Sequence, residues 1–250
     1  MLTTGARRTV APVTHTSDVP VQNPHQNVSF ASGDATAHGY LALPASGSGP
    51  GLVVIQEWWG LTEHIKDVTD RFAAEGFVAL APDLFGGPTT HDSDEAGRLM
   101  QDLPVERAAR DLSGAVDLLL GHDAVTSSTV GAVGFCMGGG FVLVMAAQQG
   151  DRVGAAVPFY GVGGYDQVDL AGITAPVLGH FGSEDLFAPP AQVDALEAGL
   201  QASSGTVEIV RYPGAGHAFF NDENLLGTYD ADLAAQAWSR TVQFLRTNLA

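Results

Sequence analysis

The stretch Gly134-Phe135-Cys136-Met137-Gly138, continued by Gly139 and Gly140, decides how this chain is read. A β-prone apolar run, Thr129-Val130-Gly131-Ala132-Val133, leads into it. The apolar run Phe141-Val142-Leu143-Val144-Met145-Ala146-Ala147 leads away with helical character. Strand, tight Gly-x-nucleophile-x-Gly turn and helix are together the sequence form of a nucleophile elbow. A side chain presented at the tip of so sharp a turn needs small neighbours, and Gly134 and Gly138 leave room for close backbone approach. The helix that follows brings free N–H groups and the positive end of its dipole beside Cys136. The competing reading is a structural glycine-rich turn in which Cys136 is a small buried hydrophobe. The strand before and the helix after favour the elbow.

Working outward, apolar strand-like runs alternate with amphipathic helical ones. Asn27–Phe30 and Ala37–Leu43 read as a hairpin across Gly33-Asp34. Residues 51–56 read as a buried strand ending in Glu57-Trp58-Trp59-Gly60, and Thr62 opens a helix to about Glu75. Phe77–Ala81 is a strand stopped by Pro82-Asp83, followed by a short helix near 94–101 and a longer one from Pro104 to about Leu120. Past the elbow come strands at 153–159, 176–181 and 207–212, a helix from Pro189/Pro190 to about Ala202, and a closing helix from about Asp230 to Leu249. Short continuous apolar strands separated by helices predict a single α/β domain, with a mostly parallel sheet covered on both faces. Residues 1–25 lack periodicity and read as a flexible N-terminal arm, leaving 26–250 for the domain.

Composition narrows the function classes. The chain has 250 residues, 45% hydrophobic and 16% charged, which suits one globular core. A net charge of −17 disfavours nucleic acid and anionic membrane surfaces as partners. No apolar run approaches the ~18–20 residues of a membrane span. Cys136 is the only cysteine, and Arg7-Arg8 has no apolar run behind it, so the reading is a cytoplasmic protein without a signal peptide. No His/Cys/Asp spacing suggests a metal site, and no cofactor is expected.

In an open parallel sheet, functional residues lie past the carboxyl ends of strands. Glu57, Asp83, Cys136, Tyr160, Asp185 and His217 all fall there. A free thiol, of pKa about 8.5, needs a base or cation to become a useful nucleophile at neutral pH. His217 sits in a small-residue turn after the last strand, and Asp185 follows the strand before it. The order nucleophile, acid, histidine is that of an α/β-hydrolase triad, with Asp185 orienting His217. Glu184 is the immediate rival of Asp185. The seven other histidines lack such a frame, and His180, inside a strand, reads as a core residue.

Taken together, Gln56-Glu57-Trp58-Trp59-Gly60, Ala81-Pro82-Asp83-Leu84, the elbow, Phe159-Tyr160-Gly161, Gly182-Ser183-Glu184-Asp185 and Ala215-Gly216-His217 resemble the dienelactone hydrolase family (carboxymethylenebutenolidases). The resemblance covers about residues 27–249. It implies a single-domain α/β-hydrolase that cleaves a lactone or ester through a thioester on Cys136, with Asp185 and His217 completing the triad. Glu57 would be a second carboxylate facing the thiol. From its position alone, Glu57 is otherwise a solvated loop charge. The backbone N–H groups of Trp58 and Met137 would form the oxyanion hole. Trp59, Tyr160, Asn221 and Phe85 would contact substrate, unless one of the two tryptophans is core. The partner is then a small lactone or ester and the protein a monomer or weak homo-oligomer.

The chain also departs from the family pattern. The lactone hydrolases bind an anionic substrate with two arginines, and the corresponding places here are Gly86-Gly87 and Asn221; Arg98, in the same loop region, is the available substitute. The alternatives are a broad-specificity carboxylesterase or thioesterase on the same triad, a non-catalytic small-molecule receptor, and a redox thiol protein. The complete triad counts against the receptor, and the lack of a second cysteine counts against the redox protein.

Overall fold

The computed structural model describes residues 23–162, 168–202 and 205–249. Gly163 and most of the expected N-terminal arm lie outside them. Eight strands form one sheet: β1 (Val28–Ser32), β2 (Ala35–Ala42), β3 (Gly49–Ile55), β4 (Val78–Pro82), β5 (Val125–Phe135), β6 (Val153–Phe159), β7 (Val177–Gly182) and β8 (Val207–Tyr212). Their spatial order is β1-β2-β4-β3-β5-β6-β7-β8. The β1–β2 hairpin and the β2–β4 pair are antiparallel, and every other pairing is parallel.

Six helices cover the sheet: α1 (Glu63–Ala74), α2 (Ser93–Gln101), α3 (Val105–Gly121), α4 (Met137–Gln149), α5 (Pro190–Leu200) and α6 (Ala231–Asn248). Two cores result. Side chains from α3, α4 and α5 fill one face, and those from α1 and α6 fill the other, joined there by Phe219 and Phe220. Parallel strands buried on both faces need continuous apolar runs, and β4 is buried at all five positions. The helix after the elbow is buried from Gly138 to Ala146, which explains why it carries no polar stripe.

The predicted architecture holds, with shifted ends. The elbow strand is eleven residues long rather than five: it starts at Val125, which pairs with Gly49 ahead of an irregularity, and it runs on through Gly134 and Phe135. Asn23, placed at sequence level in the arm, belongs to the domain: it is 1% exposed and donates to the Leu61 carbonyl and to Asp83. His180 is the core histidine expected. Its Nδ1 pairs with the Tyr212 hydroxyl at 2.8 Å and its Nε2 with Thr241 Oγ1 at 3.0 Å, and burial lowers its pKa to about 3.

Candidate active site

At the carboxyl end of β5 the chain turns through Cys136 with φ 53° and ψ −118° and enters α4 at Met137. A non-glycine residue with positive φ is strained, and the neighbouring packing holds it there. The Cys136 N–H donates to the Phe159 carbonyl at 3.0 Å, fixing the turn to β6. Gly138 is required by contact: a Cβ there would lie 2.5 Å from the main-chain oxygens of both Ile55 and Gln56. At Gly134 a Cβ would run into the Gly138 carbonyl. The close approach inferred from the sequence is therefore present, and the strain of the turn sits on Cys136 itself.

Asp185 follows β7 and is 1% exposed, whereas the adjacent Glu184 is exposed. The Asp185 Oδ1 atom accepts the N–H groups of Phe187 and Ala188, each at 2.8 Å. This leaves Oδ2 for His217 Nδ1, also at 2.8 Å. Of the two neighbouring carboxylates, the backbone thus turns Asp185 inward. His217, after β8, is held by Thr228, whose hydroxyl donates to the His217 carbonyl. Its ring lies between Tyr160, 5.1 Å away between centroids, and Phe187, 4.9 Å away. Burial alone lowers the pKa of the ring, but hydrogen bonding to Asp185 and the nearness of Cys136 outweigh it and raise the value from 6.5 to about 10. Nε2 is buried and makes no well-aligned hydrogen bond among the described residues, while Cys136 lies close enough to the ring to help raise its pKa.

Glu57 ends the β3 segment and is 1% exposed, not a solvated loop charge. It accepts a 2.6 Å hydrogen bond from Asn221 Nδ2 on one oxygen and a 3.2 Å bond from the Tyr160 hydroxyl on the other. Burial, reinforced by the Glu57 and Cys136 charges, pushes the Tyr160 phenol well above its usual value, so it stays protonated and donates. Tyr160 is itself strained, with φ 38°, and its N–H is anchored on the His180 carbonyl.

These groups meet at a cavity of about 410 Å³. Cys136, Tyr160 and His217 supply its chemistry. Trp58, Met100, Leu103, Val105, Phe187 and Leu226 supply apolar wall. The N–H of Met137 is the first of α4 and has no intrahelical acceptor. That of Trp58 donates to nothing else among the described residues. Both are free to point at a reacting oxygen.

Three residues read as substrate contacts stand elsewhere. Trp59 is 3% exposed and packs beside Trp58 in the protein interior, so it is the core tryptophan of the pair. Phe85 packs against the α3/α4 core. Asn221 is buried and spends its amide on Glu57, which makes it a support for that carboxylate and not a cavity wall. Sequence reasoning missed the wall from α2 and α3, because those residues become neighbours only through tertiary packing. Phe187 was legible in principle, as a large apolar residue two places after the triad acid. Among the described residues no helix is long and apolar enough to cross a membrane, and no three of His, Cys, Asp and Glu are grouped as metal ligands.

A sequence model described as the dienelactone hydrolase family matches residues 37–249. The chain is 34% identical to a putative carboxymethylenebutenolidase from Synechocystis sp., over 90% of this chain and 95% of that one. Among solved structures it is similar to a putative dienelactone hydrolase from Klebsiella pneumoniae, with TM-score 0.76 and 30% identity over 85% of this chain and 93% of the other. It is also similar to a dienelactone hydrolase-like promiscuous phosphotriesterase from metagenomic libraries, with TM-score 0.79 and 25% identity over 89% and 97%. With a match of that extent on top of the elbow, the acid and the histidine, the chain belongs to the dienelactone hydrolase family, whose members are hydrolases acting on ester and lactone bonds.

Proposed function

We propose that the protein hydrolyses a lactone or ester through a covalent thioester on Cys136. The observation that carries this reading is the strained Cys136 at the elbow, with His217 beside it and Asp185 locked on the far side of the ring. A protonated His217 next to Cys136 favours the thiolate form of the nucleophile. The thiolate attacks the carbonyl carbon, and the oxygen that gains charge is received by the N–H groups of Met137 and Trp58. The carbon–oxygen bond to the leaving group then breaks, and His217 gives its proton to the departing alkoxide. In a lactone that alcohol stays tethered to the acyl chain. Neutral His217 next takes a proton from water, and the resulting hydroxide attacks the thioester. Cys136 leaves as thiolate, facing a reprotonated His217.

Glu57, held by Asn221 and Tyr160, is placed to influence the charge state of the thiol during acylation. Nothing in this sequence calls for a cofactor. The test is Cys136→Ala, which should lower kcat by on the order of 10³-fold or more with an unchanged melting curve. Iodoacetamide should inactivate the wild-type enzyme and leave one adduct, on Cys136. Turnover retained in the alanine variant would end the assignment.

A further inference from the structure

Among the described residues, the wall of the cavity carries no lysine or arginine. Its residues from α2, α3 and the turn between them, and from the loops after β6 and β7, are apolar: Met100, Leu103, Val105, Val162 and Phe187. Two buried carboxylates stand directly behind lining residues: Glu57 accepts from the Tyr160 hydroxyl, and Asp185 is bound to Nδ1 of His217. Arg98 does not fill the gap. It is exposed on α2, while the residue two places on, Met100, is the one that meets the cavity. Arg107 sits beside Asp111 on α3, and Arg71 lies over Trp238 on the opposite side of the sheet.

The apolar surface does not stop at the mouth. Phe187, Val105 and Met100 line the cavity and are also exposed, Phe187 at 62%, and Leu186, its neighbour in the chain, is 90% exposed. A carboxylate carried by a substrate into this space would lose water against apolar walls, beside two buried carboxylates; the one cationic donor among the lining residues, protonated His217, is already paired with Asp185 and is needed at Cys136. Burying an unpaired charge is strongly unfavourable, whereas an aliphatic chain on the same walls gains from leaving water.

We infer that this site takes an uncharged ester or lactone with an aliphatic or aromatic body, and discriminates against one that carries a carboxylate. The inference rests on the hydrolase reading above and specifies its substrate. Met100 and the exposed Phe187 set the preference.

The test compares p-nitrophenyl hexanoate with the p-nitrophenyl half-ester of adipic acid, which have six acyl carbons each and differ in a terminal methyl or carboxylate. Assays run in 0.5 M NaCl, so that repulsion by the net charge of −17 is screened and the cavity itself is read. The expected result is a kcat/KM about 100-fold higher for the hexanoate, a ratio that the loss of one charge-assisted hydrogen bond or more would produce. Met100→Arg places a cation at the cavity, in the last turn of α2, where the helix dipole favours it. It should cut that ratio at least about tenfold. Equal turnover of the two esters, or a preference for the adipate, overturns the inference and leaves the hydrolase reading standing.

If neither ester is turned over, the hydrolase reading fails and the cavity is read by protection instead. 2-Octanone and 7-oxooctanoate, matched in length, then compete with iodoacetamide for Cys136. Better protection by the ketone supports the inference, and protection by the oxoacid that equals or exceeds it refutes it.

Discussion

Replacing Asp185 by Asn tests the triad without changing its shape. In the wild-type protein Oδ1 is fixed by two main-chain donors, Phe187 N–H and Ala188 N–H. The asparagine carbonyl must take that place, because an amide NH₂ there would face two other donors. The NH₂ then points at His217 Nδ1, which has to become an acceptor. The remaining ring proton moves to Nε2, the nitrogen on the Cys136 side, and the neutral ring can no longer take a proton from water. A loss of kcat on the order of 10³–10⁴-fold follows from the wrong tautomer.

The same substitution removes the strongest influence that raises the His217 pKa. The rise from 6.5 to about 10 corresponds to roughly 5 kcal/mol between the protonation states, shared between Asp185 and Cys136. Losing the hydrogen bond and the charge of Asp185 should lower the value. NMR titration of the imidazole, assigned by comparison with His217→Gln, reads this directly. Stability carries a matching signature. A raised histidine pKa stabilises the fold fully below about 6.5, and that contribution is lost as pH climbs to about 10. The wild-type advantage in melting temperature over Asp185→Asn should therefore shrink between pH 6 and pH 10. A variant that still titrates near 10, with kcat within about tenfold of wild type, would refute the role given to Asp185.

Glu57→Gln removes the charge at constant size; its carbonyl can accept from Asn221 while its NH₂ donates to the Tyr160 hydroxyl, which turns to accept, so acylation should slow by roughly 10²-fold with little change in stability. Burst kinetics with a chromogenic ester separate acylation from deacylation, and an untouched acylation rate would reduce Glu57 to a structural role. Gly138→Ala should force apart the elbow and the end of β3, since the added carbon meets two main-chain oxygens at 2.5 Å that cannot rotate away. Overpacking of this kind costs about 1–3 kcal/mol, or roughly 2–12 °C in melting temperature for a chain of this size, and an unshifted melt would show that the turn is looser than described.

Much of this protein can be read in its sequence because the decisive constraints are local. An elbow needs small residues on both sides of the nucleophile whatever surrounds it, so Gly134 and Gly138 announce Cys136. Alternating apolar strands and helices announce a covered parallel sheet, and in such a sheet the strand ends carry Glu57, Tyr160, Asp185 and His217. The structure places all of these at one end of the sheet. Direction of burial is not local. Which of two adjacent tryptophans faces the cavity, and which of Glu184 and Asp185 turns inward, depends on the chain around them: the Trp59 carbonyl accepts from Thr90 N–H and Glu184 N–H donates to the Ala215 carbonyl, while Phe187 and Ala188 hold the Asp185 carboxylate. Asn221 looks like a substrate contact until the fold sets its amide against a carboxylate 164 positions earlier in the chain. The apolar wall from α2, α3 and the turn between them had no signature of its own, because nothing in the local sequence around Met100, Leu103 and Val105 says what they will face. Tertiary packing alone turns those three toward the sulfur, and with them decides the charge that the site accepts.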